Sequence, residues 1–266
     1  MQANLPNTDV WTLTFSLSEY TPAEVERMTG VSTASQRDWR RHGYLPRQDT
    51  HARFNVLTAA ELYVMKMFAD QGKGPAVSSP YASRIAMSMV KTALIWRRDV
   101  WGGNDPAAVF DAIPTAARRR TLTEQYYHQH DLERPDRDKP TREEKIEWII
   151  DSLFRSMGAR DSLTHSRLAV LWPNGEFEIG DYTAGKDYIV SEGQLDRVDP
   201  KFDGPASVLH LEASAANLAR RSRLPFLSVS AALNEKGIIN KPEARQDHGT
   251  VVVTSPSAKA STALTR

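Results

Sequence analysis

The chain contains no cysteine among its 266 residues. Without thiols it cannot form disulfides, hold a metal through cysteine or sense oxidants with a reactive thiol. It also lacks an apolar run of the length that a membrane-spanning helix requires. The N-terminus has neither the basic start nor the apolar core of a secretion signal. We therefore expect a cytoplasmic protein that has no membrane partner.

A strong net charge is absent as well, because 34 basic and 33 acidic residues leave a formal net charge of +1. The basic surplus is local: from Arg27 to Arg53 there are six arginines, against only Asp38 and Asp49. This pattern is typical of a domain with one basic face. The length and the apolar fraction of 40% suit one large domain or, more readily, two.

Two short helices are predicted near the start of this basic stretch. Thr21 is a side-chain N-cap, and Pro22 follows at the first helical position, where its missing N–H costs nothing. Gly30 can take the left-handed conformation that a tight turn needs. A second helix is predicted at about residues 33–41, with Gly43 ending it. Two helices joined by a glycine-containing turn, with basic residues on the second, are typical of a helix-turn-helix that enters the major groove.

The residues that follow fit a wing and a third helix. Residues 44–45 and 52–54 are predicted as short extended pieces around a polar turn at residues 48–50. Thr58 is predicted to cap a helix that runs to about Gln71, with apolar residues at helical spacing.

Residues 20–71 resemble the DNA-binding domain of MerR-type transcription regulators. The resemblance rests on segments in the expected order: Tyr-Thr-Pro-Ala-Glu-Val at 20–25, Thr-Gly-Val-Ser at 29–32, Arg-Asp-Trp-Arg-Arg-His-Gly-Tyr-Leu-Pro at 37–46, Arg-Phe at 53–54 and Leu-Thr-Ala-Ala-Glu-Leu at 57–62. It covers about a fifth of the chain. The family usually has alanine where Glu26 stands, leucine or isoleucine where Gln36 stands, and often an aromatic residue where Asp38 stands, so the chain resembles a divergent branch.

The resemblance implies a winged helix-turn-helix that binds double-stranded DNA as a homodimer, without a cofactor. MerR-type metal sensors depend on cysteines, so the resemblance implies a different effector here. Ser35 and Gln36 are predicted to lie near base edges or adjacent phosphates, because glutamine can pair with adenine. The arginines are predicted mainly to contact phosphates. The full set of predicted DNA-binding residues is Thr33, Ser35, Gln36, Arg37, Arg40, Arg41, Arg47, His51 and Arg53.

The alternative for these arginines is a solvated surface or internal ion pairs, and Arg53 in particular could pack against the helices. The functional alternative to a regulator is an excisionase-like module that bends DNA or docks another protein. Clustered direct repeats bound by monomers would favour that alternative, whereas a two-fold footprint would favour a regulator.

The predicted fold class is mainly α, with an α+β C-terminal part. We predict a winged helix-turn-helix domain at 1–72, a helical connector and possible dimerisation region at 81–130, a small α+β domain at 141–232 and a flexible tail at 234–266. Residues 10–15 alternate in polarity and predict a strand or arm before the first helix.

Within the later segments, residues 72–80 are predicted to form a loop because of their glycines and prolines. The apolar stripe of the next helix, at residues 81–98, suits either a dimer seam or a core helix. Thr141 begins a capping box and a helix to about residue 157. An Asn-Gly turn predicts a hairpin over residues 167–179. Residues 205–223 are predicted as a helix, and residues 186–190 and 226–230 as strands.

No arrangement of residues supports catalysis. His128, His130 and Asp131 could ligate a metal, but no further ligand pair is evident. Asp161, Ser162 and His165 are the residue types of a triad, yet triad members normally come from separated segments. We therefore expect no enzyme activity, no metal and no cofactor. A small-molecule or protein effector at residues 141–232 stays open.

Overall fold

The computed structural model describes residues 10–45, 53–113, 140–157, 167–180, 204–234 and 250–254. The chain divides into two compact units. Unit A contains Leu17–Gly102 and Asp161–Ser228, and unit B contains Met1–Ser16, Gly103–Arg160 and Val229–Arg266.

Unit A begins with a strand, two helices and a long third helix. Strand β2 (Glu19–Tyr20) precedes α1 (Pro22–Thr29) and α2 (Thr33–Arg41), and it pairs with β3 (Phe54–Asn55). Helix α3 (Val56–Asp70) follows directly. The prediction that Thr58 caps this helix is wrong. Asn55 is the cap, and its Oδ1 accepts from the Thr58 N–H at 3.0 Å, so the helix begins three residues earlier.

Helix α4 (Pro75–Trp96) is longer than predicted. Residues 72–80 were expected to form a loop, but the helix begins at Pro75, where a proline without an N–H is tolerated, and it continues through Pro80. Helix α4 packs along α3. The side chains of its apolar stripe are each at most 1% exposed: Ile85, Ala86, Met89, Val90, Ala93 and Leu94. The stripe is therefore covered within unit A, as the core-helix interpretation requires.

A three-stranded antiparallel sheet and one helix complete unit A. Strands β5 (Leu168–Leu171) and β6 (Phe177–Gly180) form the predicted hairpin, with Gly175 at φ 85° in its turn. Strand β7 (Ser207–His210) pairs with β5 and leads into α7 (Leu211–Ser222). The predicted helix at 205–223 is therefore wrong in its first part, because those residues pair with a strand distant in sequence. Helix α7 packs against α1 and α4.

The last element of unit A is a two-residue strand that pairs with a strand from later in the chain. Strand β4 (Trp101–Gly102) pairs in parallel with the start of β8 (Leu227–Asn234), so that Trp101 lies opposite Leu227. A Cβ atom on Gly102 would lie 2.5 Å from Ser228 Oγ, which explains why glycine stands there. The predicted strand at 226–230 is confirmed.

Unit B contains a sheet and two helices. Strand β1 (Val10–Leu17) confirms the predicted N-terminal strand and pairs antiparallel with β9 (Thr250–Thr254). The predicted flexible tail therefore contains a strand, because its run of valines supplies a partner for β1. Helices α5 (Pro106–Ala112) and α6 (Arg142–Ser156) pack together through Phe110 and Trp148, whose ring centroids lie 5.3 Å apart.

The described residues form a mixed fold, mainly helical with small sheets, as the predicted fold class required at that coarse level. The compact units do not follow the predicted domain limits, because α7 and the hairpin pack with α1 and α4 in unit A. The predicted limits of the DNA-binding domain and of the α+β domain themselves stay predictions. The part of the predicted helical connector after residue 113 and the predicted strand at 186–190 lie outside the described residues.

Candidate functional site

The two-helix segment predicted from the sequence is present, with the expected caps. Thr21 Oγ1 accepts from the Glu24 N–H at 3.3 Å, and a carboxylate oxygen of Glu24 accepts from the Thr21 N–H at 2.7 Å. Gly30 ends α1 in the left-handed conformation, with φ 76°. Ser32 caps α2 by accepting from the Ser35 N–H at 3.1 Å. These local bonds fix where each helix begins and ends, and we call the two helices with their turn the α1–α2 pair.

Gln36 lies inside the α1–α2 pair, not on its surface. Its side chain is 1% exposed, and Nε2 donates to the carbonyl oxygens of Pro22 at 3.0 Å and Val31 at 2.9 Å. It therefore ties α2 to the start of α1 and to the turn. The prediction that Gln36 approaches base edges is corrected, because in this conformation the amide is directed to its own backbone and excluded from solvent.

The burial of Gln36 sets the rotational phase of α2. An α-helix advances about 100° per residue, so residues two positions away lie on nearly the opposite side. The side of α2 opposite Gln36 carries Ala34, Arg37, Asp38 and Arg41, and we call these four residues the outward face. Ala34, Arg37 and Arg41 are exposed, and Asp38 is partly exposed. Ala34 and Asp38 are not among the DNA-binding residues predicted from the sequence, although the phase of α2 identifies both once Gln36 lies inside.

The charges on the outward face are partly paired. Arg41 donates from a guanidinium nitrogen to Asp38 Oδ1 at 2.5 Å, and His42 Nδ1 lies 3.5 Å from the same oxygen. The side chains of Arg41 and Asp38 are 76% and 48% exposed, so the pair is open to solvent. Arg37 forms no ion pair with any residue that the structure describes.

Arg40 lies at the edge of the buried side of α2. Its guanidinium carbon is 5.1 Å from the ring centroid of Phe54, which is 1% exposed. A cation over an aromatic face is held in place electrostatically. Arg40 therefore helps to hold α2 against β3. It could make its predicted phosphate contact only from the edge of the outward side of α2.

Thr33 and Ser35 are half-buried and already bonded within the α1–α2 pair. The Thr33 N–H donates to Glu26 Oε2 at 3.1 Å, and the Ser35 hydroxyl lies 2.9 Å from the Ser32 hydroxyl. The Glu26 carboxylate therefore accepts from the first residue of α2. Because a helix N-terminus favours anions, this carboxylate occupies a position where a phosphate could otherwise bind.

The predicted wing strand at residues 44–45 is wrong, because these two residues form a bend and Phe54 pairs with Tyr20 instead. The rest of the predicted wing, residues 46–52, lies outside the described residues. Arg47 and His51 lie outside the described residues. Arg53 is exposed, and it lies close enough to Glu24 to act on its charge. The pKa of Glu24 is lowered, first by hydrogen bonds from Thr21 and further by the nearby Arg27 and Arg53. Arg27, in the last turn of α1, and Arg53 therefore both lie near the Glu24 carboxylate.

Helix α7 supports the α1–α2 pair from behind. The buried hydroxyl of Tyr20 lies 3.0 Å from the hydroxyl of Ser222, and burial raises the pKa of this tyrosine. Arg221 donates to the Met28 carbonyl at 3.4 Å, and its guanidinium lies 6.0 Å from the Tyr63 ring centroid. No sequence pattern predicts these contacts, because the partners lie about two hundred residues apart.

The described ranges contain no cluster of metal-binding side chains. No group of three or more histidine, aspartate or glutamate side chains within them could hold a metal ion. The candidate ligands His128, His130 and Asp131 lie outside those ranges, as do Asp161, Ser162 and His165. Within the same ranges, no helix is long and apolar enough to cross a membrane.

Comparison with protein-family models, with curated proteins and with solved structures gave no match to this chain. An assignment of function must therefore come from the geometry and charge of the α1–α2 pair and its surroundings.

Proposed function

We propose that this protein is a sequence-specific DNA-binding regulator that places the outward face of α2 in the major groove of a duplex. The phase of α2 carries this proposal. Gln36 holds one side of the helix against α1 through two hydrogen bonds, and Arg37 and Arg41 therefore lie on the opposite side, exposed to solvent. A basic helix face that a second helix supports from behind is the arrangement that helix-turn-helix proteins use.

The dimensions of α2 suit a major groove. An α-helix with side chains is about 10–12 Å across, and the groove is about 12 Å wide. Ala34 stands near the N-terminal end of the outward face, where its small side chain allows the helix backbone to approach base edges. Its methyl group can also contact the methyl group of a thymine.

Exposed arginines lie on this face and on the elements next to α2 in unit A, although the chain as a whole has a formal net charge of only +1. Arg27, Arg37, Arg41 and Arg53 are all exposed. Arginine donates to phosphate oxygens, and such contacts position a protein on a duplex without reading its sequence. We assign Arg37, Arg27 and Arg53 to this positioning role, with Arg40 acting mainly to hold α2 on β3.

The resemblance to MerR-type regulators supports the same assignment. In that family, leucine or isoleucine packs between the helices where Gln36 stands, and Gln36 occupies an equivalent buried place here. The polar substitute brings its own hydrogen bonds, so it preserves the register of α2 instead of changing it. The resemblance also implies a homodimer, which we propose binds two half-sites because a single module of this size binds weakly.

Sequencing genomic DNA that co-purifies with the crosslinked protein tests this proposal. We expect an enriched motif made of two half-sites related by two-fold symmetry, about 10–10.5 base pairs apart or a multiple of that spacing. An Arg37→Glu variant should lose the enrichment, because its outward face would repel phosphates. Clustered direct repeats would instead indicate an excisionase-like architectural module, and recovery that matches the input DNA would contradict the proposal.

A further inference from the structure

The outward face of α2 contains one carboxylate, Asp38. If this face bound DNA only through attraction to phosphates, a neutral or basic residue would be expected at this position. A negative side chain on a surface that meets DNA opposes the general attraction to phosphates. Asp38 lies one helical turn after Ala34 and three residues before Arg41. It therefore stands in the middle of the outward face, and its oxygen lies 2.5 Å from an Arg41 nitrogen.

We propose that Asp38 and Arg41 act as one base-reading unit that selects a G·C base pair, an inference that rests on the proposed function. The guanidinium of Arg41 has five N–H donors. Asp38 accepts from one terminal nitrogen and leaves the other donors to reach the O6 and N7 acceptors of guanine. Asp38 thus fixes the direction of the Arg41 fork, which would otherwise lose side-chain freedom when it meets a base.

The net charge of the pair distinguishes base reading from general attraction to phosphates. Arg41 and Asp38 together carry no net charge, so the pair adds little to the attraction for phosphates of any sequence. In water the exposed pair is weak. Inside the groove, water is displaced, and a base that cannot accept from Arg41 leaves the pair with unsatisfied donors. The pair therefore favours one base pair mainly by penalising the others.

The other cation of the outward face, Arg37, behaves differently. Arg37 has no described carboxylate beside it, so its positive charge acts in full on the phosphates. Arg37 contributes to affinity for every duplex, whereas Arg41 contributes to the choice among duplexes. The two arginines are separated by one helical turn on the same face and differ in whether Asp38 accepts from them.

The test uses the full chain and a randomised duplex library. Wild-type protein selects a preferred duplex, and binding is then measured on that duplex, on duplexes with each G·C pair changed to A·T, and on the random pool. In the double variant Asp38→Ala, Arg41→Ala the net charge is unchanged. We expect it to bind the random pool as wild type does, while it loses discrimination at one G·C position by roughly 5- to 150-fold.

Two further variants serve as controls. Asp38→Asn alone removes the negative charge beside Arg41 but keeps an amide oxygen that can accept from it, so binding to the random pool should tighten and its logarithmic salt slope should steepen by about 0.9. Arg37→Ala should weaken binding to all duplexes while preserving the base preference. All the altered positions are at the surface, and circular dichroism checks that the helices persist.

The outcomes separate this inference from the proposed function. A double variant that keeps every base preference of wild type would overturn the pairing of Asp38 and Arg41 and leave the regulator proposal standing. Wild-type protein that binds no duplex would overturn both. Wild-type protein that binds duplexes without selecting any motif would also remove the inference, and it would reduce the proposed function to non-specific binding.

Discussion

Gln36 determines which side of α2 can meet a partner. Its amide donates to two backbone carbonyls and its side chain is 1% exposed, so rotation of α2 about its own axis would break both bonds. The Gln36 Oε1 atom is buried without a hydrogen-bond partner among the described residues, which shows that the donor side of the amide fixes its orientation. A polar residue inside this pair of helices therefore acts by holding the geometry of the charged residues opposite it.

Replacing Gln36 with alanine should lower the free energy of unfolding by about 1–3 kcal/mol, because the buried Val31 carbonyl and the partly buried Pro22 carbonyl would each lose a donor. Urea denaturation measures the change. Gln71, which is exposed at the end of α3, provides the matched control, and Gln71→Ala should change stability by no more than about 0.5 kcal/mol. Equal effects of the two substitutions would show that Gln36 does not hold the helices together.

Glu61 is a half-buried carboxylate on α3, and burial raises its pKa above the ordinary value of 4.5. A raised pKa means that the folded state binds this proton more tightly than the unfolded state does. The stabilisation from the neutral carboxyl is therefore complete below pH 4.5 and is lost as the pH rises through the folded-state pKa. Glu61→Gln should consequently raise the melting temperature at neutral pH and leave it nearly unchanged near pH 4.

Thermal unfolding at both pH values measures this effect. Glu24→Gln is the control with the opposite sign, because the pKa of Glu24 is lowered by its bonds to Thr21. The stability contributed by Glu24 is present above its ordinary pKa and disappears as the pH falls. If Glu61→Gln raised the melting temperature equally at pH 4 and at neutral pH, burial of the charged Glu61 carboxylate would not be the cause of the increase.

Helix α4 contains two prolines whose positions differ in how much they destabilise the helix. Pro75 occupies the first turn, where no intrahelical donor is needed, whereas Pro80 lies inside the helix and removes one backbone hydrogen bond. Pro80 is exposed, so its ring contributes little to the core. The helix nevertheless continues, because the apolar stripe after Pro80 is buried against the rest of unit A.

Pro80→Ala should therefore stabilise the protein by about 2 kcal/mol, since alanine restores the missing bond and is the better helix former. Pro75→Ala should be neutral or slightly destabilising, because it only increases the freedom of the unfolded chain. Urea unfolding of the two variants provides the comparison. A larger gain at Pro75 than at Pro80 would mean that the first turn, and not the interior, is the strained part of α4.

Elements that depend on their own neighbours were predictable from the sequence. The capping boxes at Thr21 and Thr141, the left-handed Gly30 and the Asn-Gly hairpin all combine residues within a few positions. The start of α4 and the strand Ser207–His210 were not predictable in this way, because burial and pairing with distant segments outweigh local preference there. The outward face was predicted only in part. Its position depends on Gln36, which the sequence pattern predicts at the surface but which is buried in the structure.

At the scale of the whole molecule, the α1–α2 pair belongs to a larger unit. Helix α3 is buried against α4, and Tyr20 and Met28 bond to residues of α7. Removal of α4 and α7 would expose the apolar side chains of α3, including Leu62, Met65 and Phe68, which are fully buried. The segment that resembles a DNA-binding domain therefore draws part of its core from elsewhere in the chain.

A fragment of residues 1–72 should accordingly lack a cooperative unfolding transition, although it contains every residue assigned to DNA contact. Circular dichroism during heating, with the full chain as the reference, checks this expectation. A cooperative transition in the fragment near the melting temperature of the full chain would show that the predicted domain is independent of α4 and α7.

The salt dependence of duplex binding tests the docking of α2 most directly. Arg37→Ala and Arg98→Ala each remove one exposed arginine, so they change the net charge equally, but only Arg37 lies on the outward face. Fluorescence anisotropy with a labelled duplex across a series of salt concentrations gives the slope for each protein. We predict a slope that is shallower by about 0.9 for Arg37→Ala and unchanged for Arg98→Ala, whereas identical slopes for both variants and wild type would contradict the assignment of this face to DNA.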